Sequence, residues 1–262
     1  MPVITSRQNQ RLKDIRRLRR SKGERALLEG PHLIEEALAS GLLLDEVLAT
    51  PPFLETAEGL RLARSLPVPP LEVSPEVLED LTDADSPRGI LAVARLPRSG
   101  VGSLPVRAGH PYLYLDGLQD PGNLGALARV AEAAGAAGLA LSPGCAHPNP
   151  PRALRASAGS LLRLPVAVGV EPGDLDRHLA PARPRWAALV PREGESLYRA
   201  SLEGTLVLAL GAEGPGLSPA LLDRVRLRLT IPMEAPVESL NATVAAALVL
   251  FEARRRTLGA VV

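Results

Sequence analysis

Three polar side chains, Ser239, Asn241 and Thr243, crowd the start of an apolar helix in ESLNATVAAALVLFEARRR, directly after IPMEAPV. A helix start needs only one such residue to cap its free N–H groups, so the surplus is free for binding or chemistry. Upstream, ALGAEGPGL sets the carboxylate of Glu213 between Gly211 and Gly216. Glycine there permits either a tight turn or a close backbone approach to a ligand. Ile231, Met233 and Leu240 could wall a small pocket with apolar surface. On spacing alone the glycines suit a plain strand-to-helix turn. Arg129, four residues after Gly125, reads by itself as a solvated helix face.

The elements that must hold these residues alternate regularly. Strand-like segments fall at 112–116, 138–142, 164–169, 185–190, 206–211 and 227–232, with helical segments at 123–135, 150–162, 218–226 and 240–256. This alternation predicts an α/β fold: a mostly parallel sheet with helices on both faces. Ligands in such sheets bind beyond the carboxyl ends of the strands. Three exits carry unusual groups: GLQDPGNLG after 112–116, AEGPGLSP after 206–211, and MEAPVESLNAT after 227–232.

Residues 1–97 read as a small separate α/β domain, 98–109 as a Gly/Pro/Ser-rich linker, and 110–262 as the second domain. TSRQNQRLKDIRRLRRSKGERALLEG reads as a helix with Leu12, Ile15 and Leu18 on one stripe. Net charge is only +1, yet residues 1–25 hold nine basic side chains against Asp14 and Glu24, whereas 26–100 hold thirteen acids and five bases. A basic arm on a mildly acidic domain is the footprint of a nucleic-acid binder. Arg7, Arg11, Arg16, Arg17, Arg19 and Arg20 are the candidates for backbone phosphate contacts, and Arg155 could reach a phosphate or be merely solvated. With Phe53, Phe251, Trp186 and three tyrosines as the only aromatics, base stacking is not the main device.

Several classes drop out. One cysteine, Cys145, precludes an internal disulfide framework. His32, His110, His147 and His178 have no zinc-ligand spacing, so no metal is expected. No apolar run reaches the ~20 residues of a membrane span, and the polar, arginine-rich start is not signal-like, so a cytoplasmic protein is expected. The G-x-G-x-x-G of a standard dinucleotide-binding enzyme is missing after the first strand of the second domain.

DPGNLGALARVAEAAGA, ALGAEGPGL and IPMEAPVESLNATVAAAL resemble, in order and spacing, the three motifs of the SpoU branch of the SPOUT RNA methyltransferases. NPPRALRASAGSLLRLPV resembles the segment between the first two motifs, and the first hundred residues resemble the family's ribosomal-protein-like substrate-binding domain. The resemblance implies a C-terminal trefoil knot, which ordinary chains avoid. It also implies S-adenosylmethionine bound in that knot, a homodimer that completes the active site, and methyl transfer to a ribose 2′-hydroxyl. Carried over by position, Arg129, Asn123, Glu213, Ser239 and Asn241 become catalytic candidates. Leu210, Gly211, Ala212, Gly216, Ile231, Met233 and Leu240 become the cofactor-binding candidates. A guanidinium holds its proton tightly, so Arg129 fits phosphate anchoring and electrostatic activation better than proton abstraction. The expected substrate is 23S ribosomal RNA; the alternatives are transfer RNA and a non-enzymatic RNA-binding or ribosome-assembly role. Thr243 is expected to be structural.

Overall fold

The computed structural model describes residues 3–20, 22–96, 100–212 and 215–259. The chain divides into two compact units. Met1–Pro97 joins His147–Arg163 in the first, and Arg98–Ala146 joins Leu164–Val262 in the second. The contiguous second domain expected from the sequence is therefore interrupted, because residues 147–163 pack with the first unit.

The first unit holds β1 (Arg25–Glu29), β2 (Leu44–Ala49), β3 (Leu71–Glu72) and β4 (Ile90–Arg95) in the order β1-β4-β2-β3. β4 pairs antiparallel with β1 and β2, and β3 lies parallel to β2. The long N-terminal helix expected from the sequence is shorter: Gln10–Arg17 is helical and Arg25–Glu29 is a strand. Ala26, Leu27 and Leu28 are all buried, and a short apolar run covered on both faces suits a strand as well as a helix. Asn9 caps the helix by accepting from the Arg11 N–H, and Leu12 and Ile15 enter a core with Leu27, Leu48, Val77 and Leu91.

Acids distant in sequence fix several arginines of this unit. Arg16 pairs with Asp80, Arg19 with Asp83, and Arg11 with Glu46 at 2.6 Å. Residues 150–162, expected as one helix, form Pro151–Ser157 and Ser160–Arg163. The break falls at Ala158 and Gly159, both in the left-handed region (φ +46° and +91°). Arg155 pairs with the buried carboxylate of Glu29, which also accepts the Asp83 N–H at 2.8 Å, and Arg163 pairs with Glu36.

The second unit is built on β5 (Tyr112–Asp116), β6 (Gly138–Leu141), β7 (Val166–Val168), β8 (Arg185–Leu189), β9 (Glu195–Ser196), β10 (Leu206–Gly211) and β11 (Leu227–Thr230). Their order is β7-β6-β5-β10-β8-β11-β9, and every neighbouring pair is parallel. The carboxyl ends thus share one edge, with β10 near the middle. Tyr114 and Trp186 meet edge-to-face at 5.2 Å in the core, and the Tyr114 hydroxyl donates to the Val170 carbonyl at 2.8 Å. Burial pushes that hydroxyl's pKa far up, so it stays a donor. The described part of the expected linker is not free: Leu104 is buried in this core, and His178 Nε2 bonds its carbonyl at 2.7 Å. No helix among the described residues is long and apolar enough to cross a membrane.

Burial raises the Glu29 pKa above its ordinary value, opposed chiefly by Arg155. The folded chain therefore keeps this proton to higher pH than the unfolded chain, and Glu29's contribution to stability declines as pH rises through that window. Arg155→Ala leaves an unpaired buried carboxylate. It should cost about 2 kcal/mol at neutral pH, below the ~3–5 of fully buried pairs because Arg155 is partly exposed. The loss should shrink as pH falls and Glu29 protonates, so urea unfolding at neutral and at acid pH checks it. An equal loss at both would exclude the charge mechanism.

Candidate active site

Beyond the carboxyl edge of the second unit's sheet lies a cavity of about 320 Å³. Leu189, Val190 and Pro191 line it where β8 ends; Leu210, Gly211, Ala212, Gly216 and Leu217 where β10 ends; Ile231 and Met233 where β11 ends. Ser239, Leu240, Ala242 and Ala245 close it from the start of the last helix, Ala242–Gly259. All seven residues expected to hold a cofactor thus share one cavity with Ser239. Glu213 lies outside the described residues.

The loop after β10 doubles back on itself. The Gly216 N–H donates to the Ala212 carbonyl at 3.0 Å, and the Ser218 N–H to Asp116 Oδ2 at 2.7 Å, across to the end of β5. A Cβ on Gly211 would sit 2.2–2.5 Å from the backbone of Gly216 and Leu217, so only glycine fits. Gly216 is glycine for a different reason: its φ of +73° lies in the left-handed region, with open space around it.

The polar trio at the last helix divides its work. Asn241 Oδ1 accepts from the Thr243 N–H at 2.9 Å and caps the helix. Ser239 faces the cavity. Thr243 Oγ1 is buried and bonds to no described residue, so its expected structural role is packing rather than a hydrogen bond. Asn123 and Arg129 lie on the helix Pro121–Ala133 that follows β5 and do not line the cavity. Asp120 caps that helix by accepting the Asn123 N–H at 2.7 Å. Arg129 is exposed and makes no hydrogen bond or ion pair to a described residue. The helix Ala242–Gly259 packs along Pro121–Ala133.

The sequence reading passed over Leu189, Val190, Pro191, Leu217, Ala242 and Ala245. The strand-exit rule could have found the first three, because LVPREG follows a strand as the other loops do. Among the described residues no group of His, Cys, Asp and Glu could hold a metal.

In the first unit, Lys13, Arg16, Arg17, Arg19, Arg20 and Asp83 line a groove of about 590 Å³. Its cations differ in freedom. Arg16 and Arg19 are held by Asp80 and Asp83, whereas Lys13, Arg17 and Arg20 are exposed, Arg17 bonding to Asp14 of its own helix at 3.3 Å. Arg7 reaches the Glu76 carbonyl at 3.5 Å. Arg155, engaged with buried Glu29, serves the packing of its own segment.

A parallel sheet with an apolar cavity beyond its strand ends, and a separate unit that carries a cationic groove, is an arrangement suited to an enzyme with a small bound cofactor and a charged substrate. Residues 110–251 match the SpoU rRNA Methylase family and residues 9–92 the MRM3-like substrate binding domain, and the chain belongs to the SpoU rRNA methylase family. It is 31 % identical to the 23S rRNA (guanosine(2553)-2'-O)-methyltransferase RlmP of Bacillus subtilis, over 97 % of this chain and 100 % of that protein. It is 35 % identical to an uncharacterized tRNA/rRNA methyltransferase of Synechocystis, over 97 % and 93 %. The crystal structure of the SpoU methyltransferase AviRb from Streptomyces viridochromogenes, in complex with AdoMet, matches with a TM-score of 0.87 and 26 % identity, over 96 % of this chain and 99 % of that one.

The two loop glycines should respond differently. Gly211→Ala should cost about 2–3 kcal/mol in unfolding free energy through overpacking, and Gly216→Ala about 1 kcal/mol through backbone strain. Urea unfolding of both variants measures this, and the reverse order would contradict the close approach described.

Proposed function

We propose that this enzyme methylates a ribose 2′-hydroxyl in 23S ribosomal RNA, using S-adenosylmethionine. The observation that carries the reading is the apolar cavity formed by the exits of β8, β10 and β11 and the start of the last helix. A volume of about 320 Å³ lies within the range of small-ligand sites. Its walls suit the flat body of an adenosine, and the backbone around Gly211 offers hydrogen-bonding edges without charge. Bound there, S-adenosylmethionine supplies an electrophilic methyl on a sulfonium.

The chain's own residues then have a defined task. A ribose hydroxyl is a very weak acid, so its proton must leave or the negative charge developing on oxygen must be stabilised. Arg129, exposed and without an internal partner among the described residues, is the group we assign to the adjoining phosphate and to that charge. Ser239, Asn123, Asn241 and Glu213 are assigned to orient the ribose and the arginine. The cationic groove of the first unit is assigned to the RNA backbone, with Lys13, Arg17 and Arg20 as the exposed charges.

We further assign a homodimer and a knotted C-terminal segment. Val244, Leu248 and Phe251 are exposed at helical spacing on Ala242–Gly259, a stripe that a second copy would cover. The knot reading is supported by the doubled loop after β10 and by the return of the last helix to Pro121–Ala133.

Calorimetry with chelator present should show S-adenosylmethionine binding near one per chain, and methylation of 23S RNA fragments should place the methyl on a 2′-oxygen. Arg129→Ala should lower transfer by about two orders of magnitude, roughly 3 kcal/mol, with cofactor affinity nearly unchanged. No binding at millimolar ligand, or wild-type turnover in the variant, would refute the respective assignment.

Replacing Lys13, Arg17 and Arg20 together with glutamine should weaken RNA binding and flatten its salt dependence by up to about two units of slope, at ~0.7 per lost phosphate contact on single strands. Replacing Arg16 and Arg19 should instead lower thermal stability. Filter binding across a salt series and thermal unfolding separate the two sets.

A further inference from the structure

One cation and one anion stand together at the rim of the cavity. Arg192 follows Pro191, and Glu238 precedes Ser239, both of which line the wall. Arg192 Nη2 donates to Glu238 Oε1 at 3.2 Å, and both side chains are largely exposed, at 76 % and 79 %. Such a pair contributes little to folding. Its backbone setting is nevertheless tightly built. The Thr230 hydroxyl donates to the Val190 carbonyl at 3.2 Å and accepts the Gly194 N–H at 2.9 Å, pinning the loop on both sides of Arg192. A Cβ on Gly194 would lie 2.5 Å from Thr230 Oγ1, and Glu193 is held left-handed at φ +61°. Strain of this kind in a non-glycine residue persists where the surroundings enforce it, commonly at functional sites.

The described walls of the cavity carry no charged side chain. A ligand with an uncharged ring system and a zwitterionic end matches these described walls with its ring and this rim with its charged end. We propose that Arg192 and Glu238 recognise the α-amino-acid end of the cofactor. The guanidinium takes the carboxylate through its planar fork, the Glu238 carboxylate takes the ammonium, and their mutual ion pair opens to admit both. This assignment rests on the S-adenosylmethionine reading given above. It makes the pair a specificity element for the amino-acid end, separate from the adenosine pocket.

Two ligands that share adenosine and a neutral thioether isolate that end: S-adenosylhomocysteine carries the amino acid, and 5′-methylthioadenosine does not. Calorimetry on the full chain should show Arg192→Gln and Glu238→Gln each weakening S-adenosylhomocysteine about tenfold, as expected for a lost charged hydrogen bond, with 5′-methylthioadenosine changed less than about twofold. Arg192→Lys should recover only part of the loss, since it keeps the charge without the fork. Equal weakening of both ligands would overturn the proposal by making the pair a general brace of the rim. No weakening of either would overturn it by making the pair an ordinary solvated one. A wild type that binds neither ligand would overturn the cofactor reading itself, and this assignment with it. Both positions are exposed, and unchanged thermal unfolding of the variants shows that the comparison is between folded proteins.

Discussion

Where β10 ends, the main chain turns back so closely that Gly211 meets the backbone of Gly216 and Leu217 with no room for a side chain. The catalytic unit depends on this approach. It sets the near wall of the cavity and brings Ser218 to Asp116, fastening the loop to the neighbouring strand. Ile231 and Met233 after β11 and Leu240 before the last helix line the same cavity. A uniformly parallel sheet makes the arrangement workable, since every strand delivers its following loop to the same edge. Among the described residues the cavity wall carries no charged side chain, and Ser239 brings a hydroxyl to it.

Much of this organisation was readable before any coordinates. Strand-helix alternation in the second half has a clear period, and three loops carry more glycine and polar residues than a turn requires. Those two signals marked the loops, and the resemblance to the SpoU motifs then gathered Leu210, Gly211, Ala212, Gly216, Ile231, Met233 and Leu240 around one site. The loop after β8 escaped notice because Leu189, Val190 and Pro191 are ordinary residues, and which of the strand exits meet at one cavity depends on β8 lying between β10 and β11. Pairing order in a sheet is a long-range property, and no local pattern encodes it.

The first unit was less legible for a related reason. Ala26–Leu28 is too short and too uniformly apolar to distinguish strand from helix. A cluster of arginines reads as one surface, yet Asp80 and Asp83 divide it into side chains that hold the unit together and side chains that face outward. Arg155 is the sharpest case. In sequence it sits among the methyltransferase motifs, and in space it neutralises Glu29, 126 positions earlier.

That last contact bears on the order in which the protein can be made. The chain passes between its two units at 97/98, 146/147 and 163/164. A ribosome that has released only the first hundred residues has released a first unit with no Pro151–Ser157 helix against β1 and no guanidinium for Glu29. The unit that precedes the other along the chain therefore cannot finish folding before part of the other has been synthesised. The chain alternates between the two units rather than completing one before the other, and a cut at the apparent boundary would leave the first without one of its own pieces.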